Sequence, residues 1–418
     1  MYINRDIEKV ILKASDSFQV ITLFGSRQVG KTTTVDMLFG DDYEFVTLDD
    51  SEELELALTN PRAFFESHPW PLIIDEVQKA VGLLNEIKKI VDETRRIWMK
   101  NNEKRKLMFI LTGSSQFELQ EGISESLAGR TAIINMSGFT QVEKRNRSGE
   151  LFSVDFDNAL KKQREYPEFY RSSIKVFEDI FKGGMPDICT GVSERDIYYK
   201  SYIDTYIEKD VRRLISASSE MQFRKFIELL ALRTAQEVKY SEISNSLGIS
   251  VDTTKRWMSI LQTSGIIYLL EPYMANASKR IIKAPKLYFM DTGLCAYLCK
   301  WPSATMLMDC AMKGAFFETY VVSEIIKSFY NNGVNPKQYL YYYRDIDKKE
   351  VDILLVRDGI IYPVEIKSGL KPTKPTKNFR VLDKYKMPIK RGMVIDNSEK
   401  VHAINDNAFV FPVSLVGF

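Results

Sequence analysis

The sequence predicts an α/β fold: a parallel sheet carrying a phosphate-binding loop, then a mainly helical region, then a second α/β unit. Three observations predict it. A glycine-bracketed loop at residues 25–32 lies between an apolar run and a helix-capable stretch. Further short apolar runs follow and end in acids or small polar residues. Far downstream, two apolar runs meet at Asp358-Gly359, a hairpin signal.

The loop reads Gly25-Ser26-Arg27-Gln28-Val29-Gly30-Lys31-Thr32, a complete GxxxxGK[ST] pattern. Val20-Ile21-Thr22-Leu23-Phe24 supplies the buried strand before it, and residues 32–38 open a helix after it. A chain folded around an anion presents successive backbone N–H groups, and the helix N-terminus adds partial positive charge. The two glycines permit the tight turn and the close approach to phosphate. Lys31 is placed to reach the β- and γ-phosphates, and the Thr32 hydroxyl to sit on Mg²⁺. The expected cofactors are therefore ATP and Mg²⁺, held by residues 25–32 together with Thr33.

Pro71-Leu72-Ile73-Ile74-Asp75-Glu76 reads as a buried parallel strand that releases carboxylates at its C-terminal tip. Ligands in open α/β sheets bind at that edge. Asp75 is expected to hold Mg²⁺ together with Thr32, and Glu76 to polarise the attacking water. Phe45-Val46-Thr47-Leu48 is the strand between loop and acids. A further strand, Leu107-Met108-Phe109-Ile110-Leu111, ends in Thr112-Gly113-Ser114-Ser115. Ser114 is the candidate for a bond to the γ-phosphate or the lytic water, against a plain β-turn. Arg130, in Leu127-Ala128-Gly129-Arg130, either stabilises charge on the transferring phosphate or forms a surface salt bridge.

At 418 residues the chain suits two or three domains, and 44% apolar residues support real cores. The 58 basic and 56 acidic side chains leave a net charge of +2, so overall charge points to no partner. Cys189, Cys295, Cys299 and Cys310 contain no CxxC pair, and with two histidines they argue against a zinc site or a disulfide framework. The polar N-terminus lacks an export signal, and no apolar run approaches the length of a membrane span. These features predict a cytoplasmic protein.

Residues 155–235 read as helical, broken at Gly183-Gly184-Met185-Pro186. Two short helices then flank Gly248-Ile249-Ser250, with Ser241 and Ser250 as expected N-caps. Lys255 and Arg256 lie on the polar side of the second. Apolar strands at residues 266–270 and 287–290 enclose a loop carrying Lys279, Arg280, Lys283 and Lys286, with no acid after Glu271. The outline is a winged helix-turn-helix, in which helix and wing contact DNA, or else a protein–protein spacer.

In the Asp358-Gly359 hairpin, Arg357 pairs with Ile360, which sets Asp352 opposite Glu365 and Glu350 opposite Lys367. Opposed acids within apolar strands call for a cation. Pro363 removes a ladder donor and suggests an edge strand. Upstream, Glu318, Val322, Ile325 and Phe329 share one helical stripe. Glu318, Asp352, Glu365 and Lys367 together suit a metal that positions water for phosphodiester cleavage. From Lys367 to Arg391 there are nine lysines and arginines against one acid, Asp383, which suits nucleic acid. The alternative is an exposed hairpin with an ordinary ion pair.

Residues 25–32, 71–76 and 112–115 resemble P-loop ATPases of the AAA-plus type. Tyr206-Ile207-Glu208-Lys209-Asp210-Val211, Lys286-Leu287-Tyr288-Phe289-Met290-Asp291-Thr292-Gly293-Leu294 and Gly314-Ala315-Phe316-Phe317-Glu318 extend the likeness to a bacterial and archaeal family of predicted ATPases with a C-terminal domain of unknown function. Asp352 with Glu365-Ile366-Lys367 is similar to the PD-(D/E)xK, restriction-endonuclease-like fold, whose members include inactive ones. The resemblance implies an AAA-type domain over 1–150, a helical linker over 151–235, a winged helix over 236–300 and a nuclease-like domain over 301–418. It also implies possible homo-oligomers in which a neighbour's arginine completes the ATP site; Arg130 is the candidate. The expected function is ATP hydrolysis coupled to a module acting on DNA. The alternatives are a metal-dependent nuclease regulated by ATP, or a non-catalytic switch that binds a protein partner.

Overall fold

The computed structural model describes residues 2–113, 123, 126–206, 211, 219–274, 284–369 and 374–418. The first sheet comprises β1 (Val20–Phe24), β2 (Glu44–Thr47), β3 (Leu72–Asp75), β4 (Phe109–Gly113) and β5 (Thr131–Asn135). Its order is β2-β3-β4-β1-β5 and every pairing is parallel. β1 and β4 are buried along their whole length, as apolar runs covered on both faces should be.

Alternate residues of these strands feed two different cores, following the two-residue side-chain period. Val20, Phe24, Leu72, Ile74, Phe109 and Leu111 pack with Leu83, Leu84, Ile87 and Val91 of the helix Leu83–Asn101. Ile21, Leu23, Ile73 and Ile110 belong to a larger core that continues through Tyr199, Phe226, Trp257 and Phe317. One face of this first sheet is thus closed locally. The other is built into the rest of the chain.

The expected helical region contains Phe156–Glu165, Ser173–Lys182, Pro186–Cys189, Arg195–Tyr206 and Glu220–Ala231. Its break is real. Gly183 adopts φ +80°, and a Cβ there would lie 2.5 Å from Asp291 Oδ1. The helix pair follows as Tyr240–Leu247 and Val251–Thr263, with Gly248 left-handed between them. Ser250 caps the second helix, its Oγ accepting from Thr253 N–H at 3.0 Å. Ser241 does not cap the first: Lys239 occupies that position and Ser241 lies inside the first turn. β6 (Gln236–Glu237), β7 (Ile267–Leu270) and β8 (Lys286–Phe289) form a small antiparallel sheet beside the pair.

The last sheet comprises β9 (Leu340–Arg344), β10 (Glu350–Arg357), β11 (Ile360–Ile366), β12 (Gly392–Asp396), β13 (His402–Asn405) and β14 (Ala408–Pro412), in the order β13-β14-β12-β11-β10-β9. It is mixed: β9–β10–β11 are antiparallel, whereas β11–β12 and β12–β14 are parallel. The hairpin register is as expected, from Ile353–Val364 to Arg357–Ile360. Pro363 is not on an edge strand, because β11 is central. The proline is tolerated because the ladder with β12 starts one residue later, at Val364–Met393. The long helix Lys313–Asn331 crosses this unit and is buried nearly all round. Among the described residues, no helix is long and apolar enough to cross a membrane.

Candidate functional sites: a phosphate loop and a carboxylate cluster

The first site lies at the C-terminal tips of β1, β3 and β4. Gly25 lies against the end of β5: a Cβ on it would lie 2.1 Å from the Met136 carbonyl oxygen. Gln28 (φ +59°) and Gly30 (φ +91°) are both left-handed, so the loop alternates in hand and forms a concave run of amides. The helix Lys31–Phe39 starts directly from it. The Lys31 ammonium donates to the Gly25 and Ser26 carbonyls, each at 2.9 Å, which holds it over the loop. Thr32 Oγ1 donates to Asp75 Oδ1 at 3.2 Å, joining loop and acid strand. Thr112 also donates its hydroxyl to Asp75 Oδ1. β4 lies between β1 and β3, so Thr112 is the bridge that the strand order makes possible.

The hydroxyl–carboxylate pair and the concave amide run fit a triphosphate with a divalent ion: hard oxygen donors for the metal, backbone donors for the anion. Glu76 follows in left-handed conformation (φ +54°) and accepts a bond from the Gln78 side-chain amide. Arg27, Val29 and Thr33 belong to the same loop and helix start. Ser114 lies outside the described residues, as do Ile207, Glu208, Lys209 and Asp210 of the motif at residues 206–211.

Arg130 does not join this site. It immediately precedes β5, whose first residue pairs with Val20, so it stands at the opposite end of the sheet from the loop. Both Nε and Nη2 bond Asp92, each at 2.8 Å. The bonds to Asp92 raise the Arg130 pKa, and those bonds hold the Asp92 carboxyl below its ordinary range.

A residue the motif does not contain braces the loop from behind. Arg5 donates Nη1 to the Val29 carbonyl (2.9 Å), Nη2 to the Ser137 carbonyl (2.7 Å) and Nε to Glu143 (3.1 Å). Glu143 is fully buried and also accepts from the backbone N–H groups of Asp6 (2.9 Å) and Thr140 (2.8 Å). Neither residue carries a sequence signal: Arg5 sits in a polar N-terminal stretch, and its partner is over a hundred positions away.

The second site lies where β8, the helix Lys313–Asn331 and β10 meet. Among the described residues, Glu318, Glu350 and Asp352 each offer a carboxylate oxygen, all within 4.8 Å of one another. Of the expected set, Glu318 and Asp352 are therefore together, and Glu350 joins them. Glu350 is not opposite Lys367: the β10–β11 ladder stops at Ile353–Val364, and Glu350 instead pairs with Lys286 at 2.5 Å and Arg344 at 3.7 Å. Lys367 pairs with Glu365 at 2.5 Å and lies 4.0 Å from Asp352. The second Glu365 oxygen, Oε2, is buried without a hydrogen-bond partner among the described residues. Burial, then the charges of Glu318 and Glu365, push the Asp352 carboxyl well up. Burial raises Glu365 as well, against the pull of Lys367.

Lys286 is not a wing residue. It is 2% exposed, and its ammonium lies 2.7 Å from Glu318. Burial works against its charge, but Tyr288, Glu318, Asp352 and Glu350 outweigh it and hold the pKa well above the usual lysine value. Lys279, Arg280, Lys283 and Lys371 lie outside the described residues. On the helix Val251–Thr263, Lys255 and Arg256 are exposed, as the polar-face reading requires.

Residues 17–144 match the family model described as an AAA domain. With the loop, the acid strand and the parallel sheet in place, this segment is an AAA-type P-loop domain of the ATPase class. Residues 174–305 and 313–416 match two domains of unknown function, DUF8612 and DUF4143. The chain is 26% identical over 375 residues to the uncharacterized protein Rv2008c of Mycobacterium tuberculosis, covering 88% of this chain and 75% of that one. Among solved structures it is similar to the Walker-type ATPase paby2304 of Pyrococcus abyssi (TM-score 0.43, 13% identity, 71% of this chain and 96% of that one). It is also similar to the ORC2 protein of Aeropyrum pernix, solved as ADPNP–ADP complexes (TM-score 0.35, 8% identity, 76% and 92%).

Proposed function

We propose that the chain hydrolyses ATP and uses the nucleotide state to act on nucleic acid through its C-terminal half. The observation that carries the ATPase part is the bridge of Thr32 and Thr112 to Asp75 at the mouth of the phosphate loop. Backbone amides of residues 25–32 bind the phosphates, and Lys31 leaves its loop carbonyls for phosphate oxygens. Thr32 and Asp75 would hold Mg²⁺, which would neutralise charge on the transferring phosphate. Glu76 orients and deprotonates the attacking water. Arg130 is too far from its own loop, so any role in hydrolysis requires a second copy whose site it faces.

The coupling has a physical route. Gly265, at the end of the helix pair, is packed against the loop: a Cβ on it would lie 3.4 Å from Ser26 N. In this reading residues 1–150 are the motor, 151–235 a helical lid, 236–300 a winged helix contacting DNA with Lys255 and Arg256, and 301–418 a nuclease-like domain. The work takes place in the cytoplasm. The carboxylate cluster favours a second reading, a metal-dependent nuclease regulated by ATP, with Glu318, Glu350 and Asp352 on the metal and Glu365 and Lys367 beside it.

The test is ATP turnover with and without DNA or RNA, read alongside cleavage of the same strands in Mg²⁺ or Mn²⁺. DNA-stimulated turnover supports the first reading. Cleavage removed by Glu365→Ala or Lys367→Ala supports the second. Turnover indifferent to nucleic acid, with salt-insensitive association to a protein, would replace both with a switch acting on a protein partner.

A further inference from the structure

The carboxylate cluster already contains a cation supplied by the chain. Lys286 Nζ lies 2.7 Å from Glu318 Oε1 and 2.5 Å from Glu350 Oε1. Tyr288 donates its hydroxyl to the same Glu318 oxygen at 2.7 Å. Both residues come from β8, in the middle of the chain, whereas the acids come from the C-terminal unit. A divalent ion such as Mg²⁺ would need those oxygens at about 2.1 Å. An ammonium held on one oxygen of each acid competes with a metal for that site, because two cations about 4 Å apart in a buried place repel strongly. Beside the cluster, Glu365 is 5% exposed, and among the described residues its Oε2 has no hydrogen-bond partner.

We propose that Lys286 is a tethered counterion that closes this centre: its ammonium fills the metal's place, and a divalent ion enters only when β8 withdraws it. The proposal rests on the reading that Glu318, Glu350 and Asp352 can hold a metal. It adds that the metal competes with part of the same chain. β8 is the middle strand of its small sheet and is buried at all four residues, so opening means loosening the strand at its first residue, Lys286. β8 pairs with β7 and with the two-residue β6, and the Lys286 side chain is its first residue. A cavity of about 630 Å³, lined by Lys286, Glu350, Arg344, Glu237 and Arg233 among others, adjoins the lysine and gives the displaced ammonium a polar place to go.

The experiment is a titration of nucleotide-free protein with Mn²⁺, free ion being read by electron paramagnetic resonance. Lys286→Met is expected to bind one Mn²⁺ about 10-fold more tightly than wild type, or better, and Lys286→Met/Asp352→Asn to lose that ion. Equal binding by wild type and Lys286→Met overturns the counterion role and leaves the metal reading standing. No binding by either overturns the metal reading and the gate with it. If Lys286→Met does not fold, wild-type protein decides the question. Hydrogen exchange across residues 284–290 must accelerate when Mn²⁺ fills a site that Asp352→Asn abolishes. Unchanged exchange with that site filled overturns the proposal.

Discussion

Replacing Arg5 by Met probes how the phosphate loop is held in shape. The guanidinium makes three bonds, to Glu143, Val29 and Ser137, and sits 4.6 Å from the Phe139 ring centroid. Its pair with Glu143 has almost no solvent access, with side chains 2% and 0% exposed. Methionine fills much of the same volume but leaves the Glu143 carboxylate in the interior with backbone donors and no cation. Breaking a buried pair by removing one partner costs about 3–5 kcal/mol. The two carbonyl bonds are worth about 1 kcal/mol each and overlap with that figure rather than adding to it. Against a total stability of about 5–15 kcal/mol, the loss is large. Equilibrium urea unfolding measures it, and Mg-ATP affinity should fall in parallel because Val29 belongs to the loop. Arg5→Met/Glu143→Gln should recover much of the loss, since a neutral amide costs less to bury unpaired. A loss below about 1 kcal/mol in the single variant would refute the reasoning, because the pair would then be dispensable.

Three further outcomes follow from the geometry. Gly25→Ala puts a methyl 2.1 Å from the Met136 carbonyl, so the β5 end must move; calorimetry should show ATP binding lost, and retention within about twofold would contradict the packing. Thr112→Val keeps the shape and removes a donor to Asp75, so kcat/KM for ATP should fall roughly 10-fold with the thermal midpoint nearly unchanged. For His68, burial lowers the pKa, but Glu44 at 2.5 Å and Glu53 at 3.0 Å outweigh it, leaving the value raised above 6.5. A raised folded-state pKa contributes stability that is fully present below pH 6.5 and is lost as pH climbs through the raised value. The thermal-midpoint difference between wild type and His68→Gln should shrink over that climb; a constant difference would show that the imidazolium plays no part.

Much of this was legible in the sequence where the signal is local. The loop at residues 25–32, the acid strand at 71–76 and the Asp358-Gly359 hairpin each depend on neighbours within a few positions, and the hairpin register is as expected from Arg357–Ile360 to Ile353–Val364, stopping short of the acid pairs. Ser250 as a cap is a signal of the same kind. What was not legible joins distant segments. Lys286 sat in a basic stretch and was expected on the wing, but tertiary packing turns it onto Glu318 and Glu350. Arg5 and Glu143 have no motif, and only the packing of the N-terminal segment behind the loop brings them together. Pro363 misled because a proline rule about edges looks at one ladder at a time, whereas here the second ladder begins one residue beyond it. For Arg130 the sequence left the phosphate role and the salt bridge both open, and only the packing onto Asp92 decides for the salt bridge.

Phosphate release from Mg-ATP under single-turnover conditions, compared among wild type, Lys31→Ala and Glu76→Gln, tests the nucleotide site most directly. Wild type should release phosphate, Lys31→Ala should fail to bind, and Glu76→Gln should bind as tightly as wild type while releasing none. Release by Glu76→Gln at the wild-type rate would contradict the site as drawn.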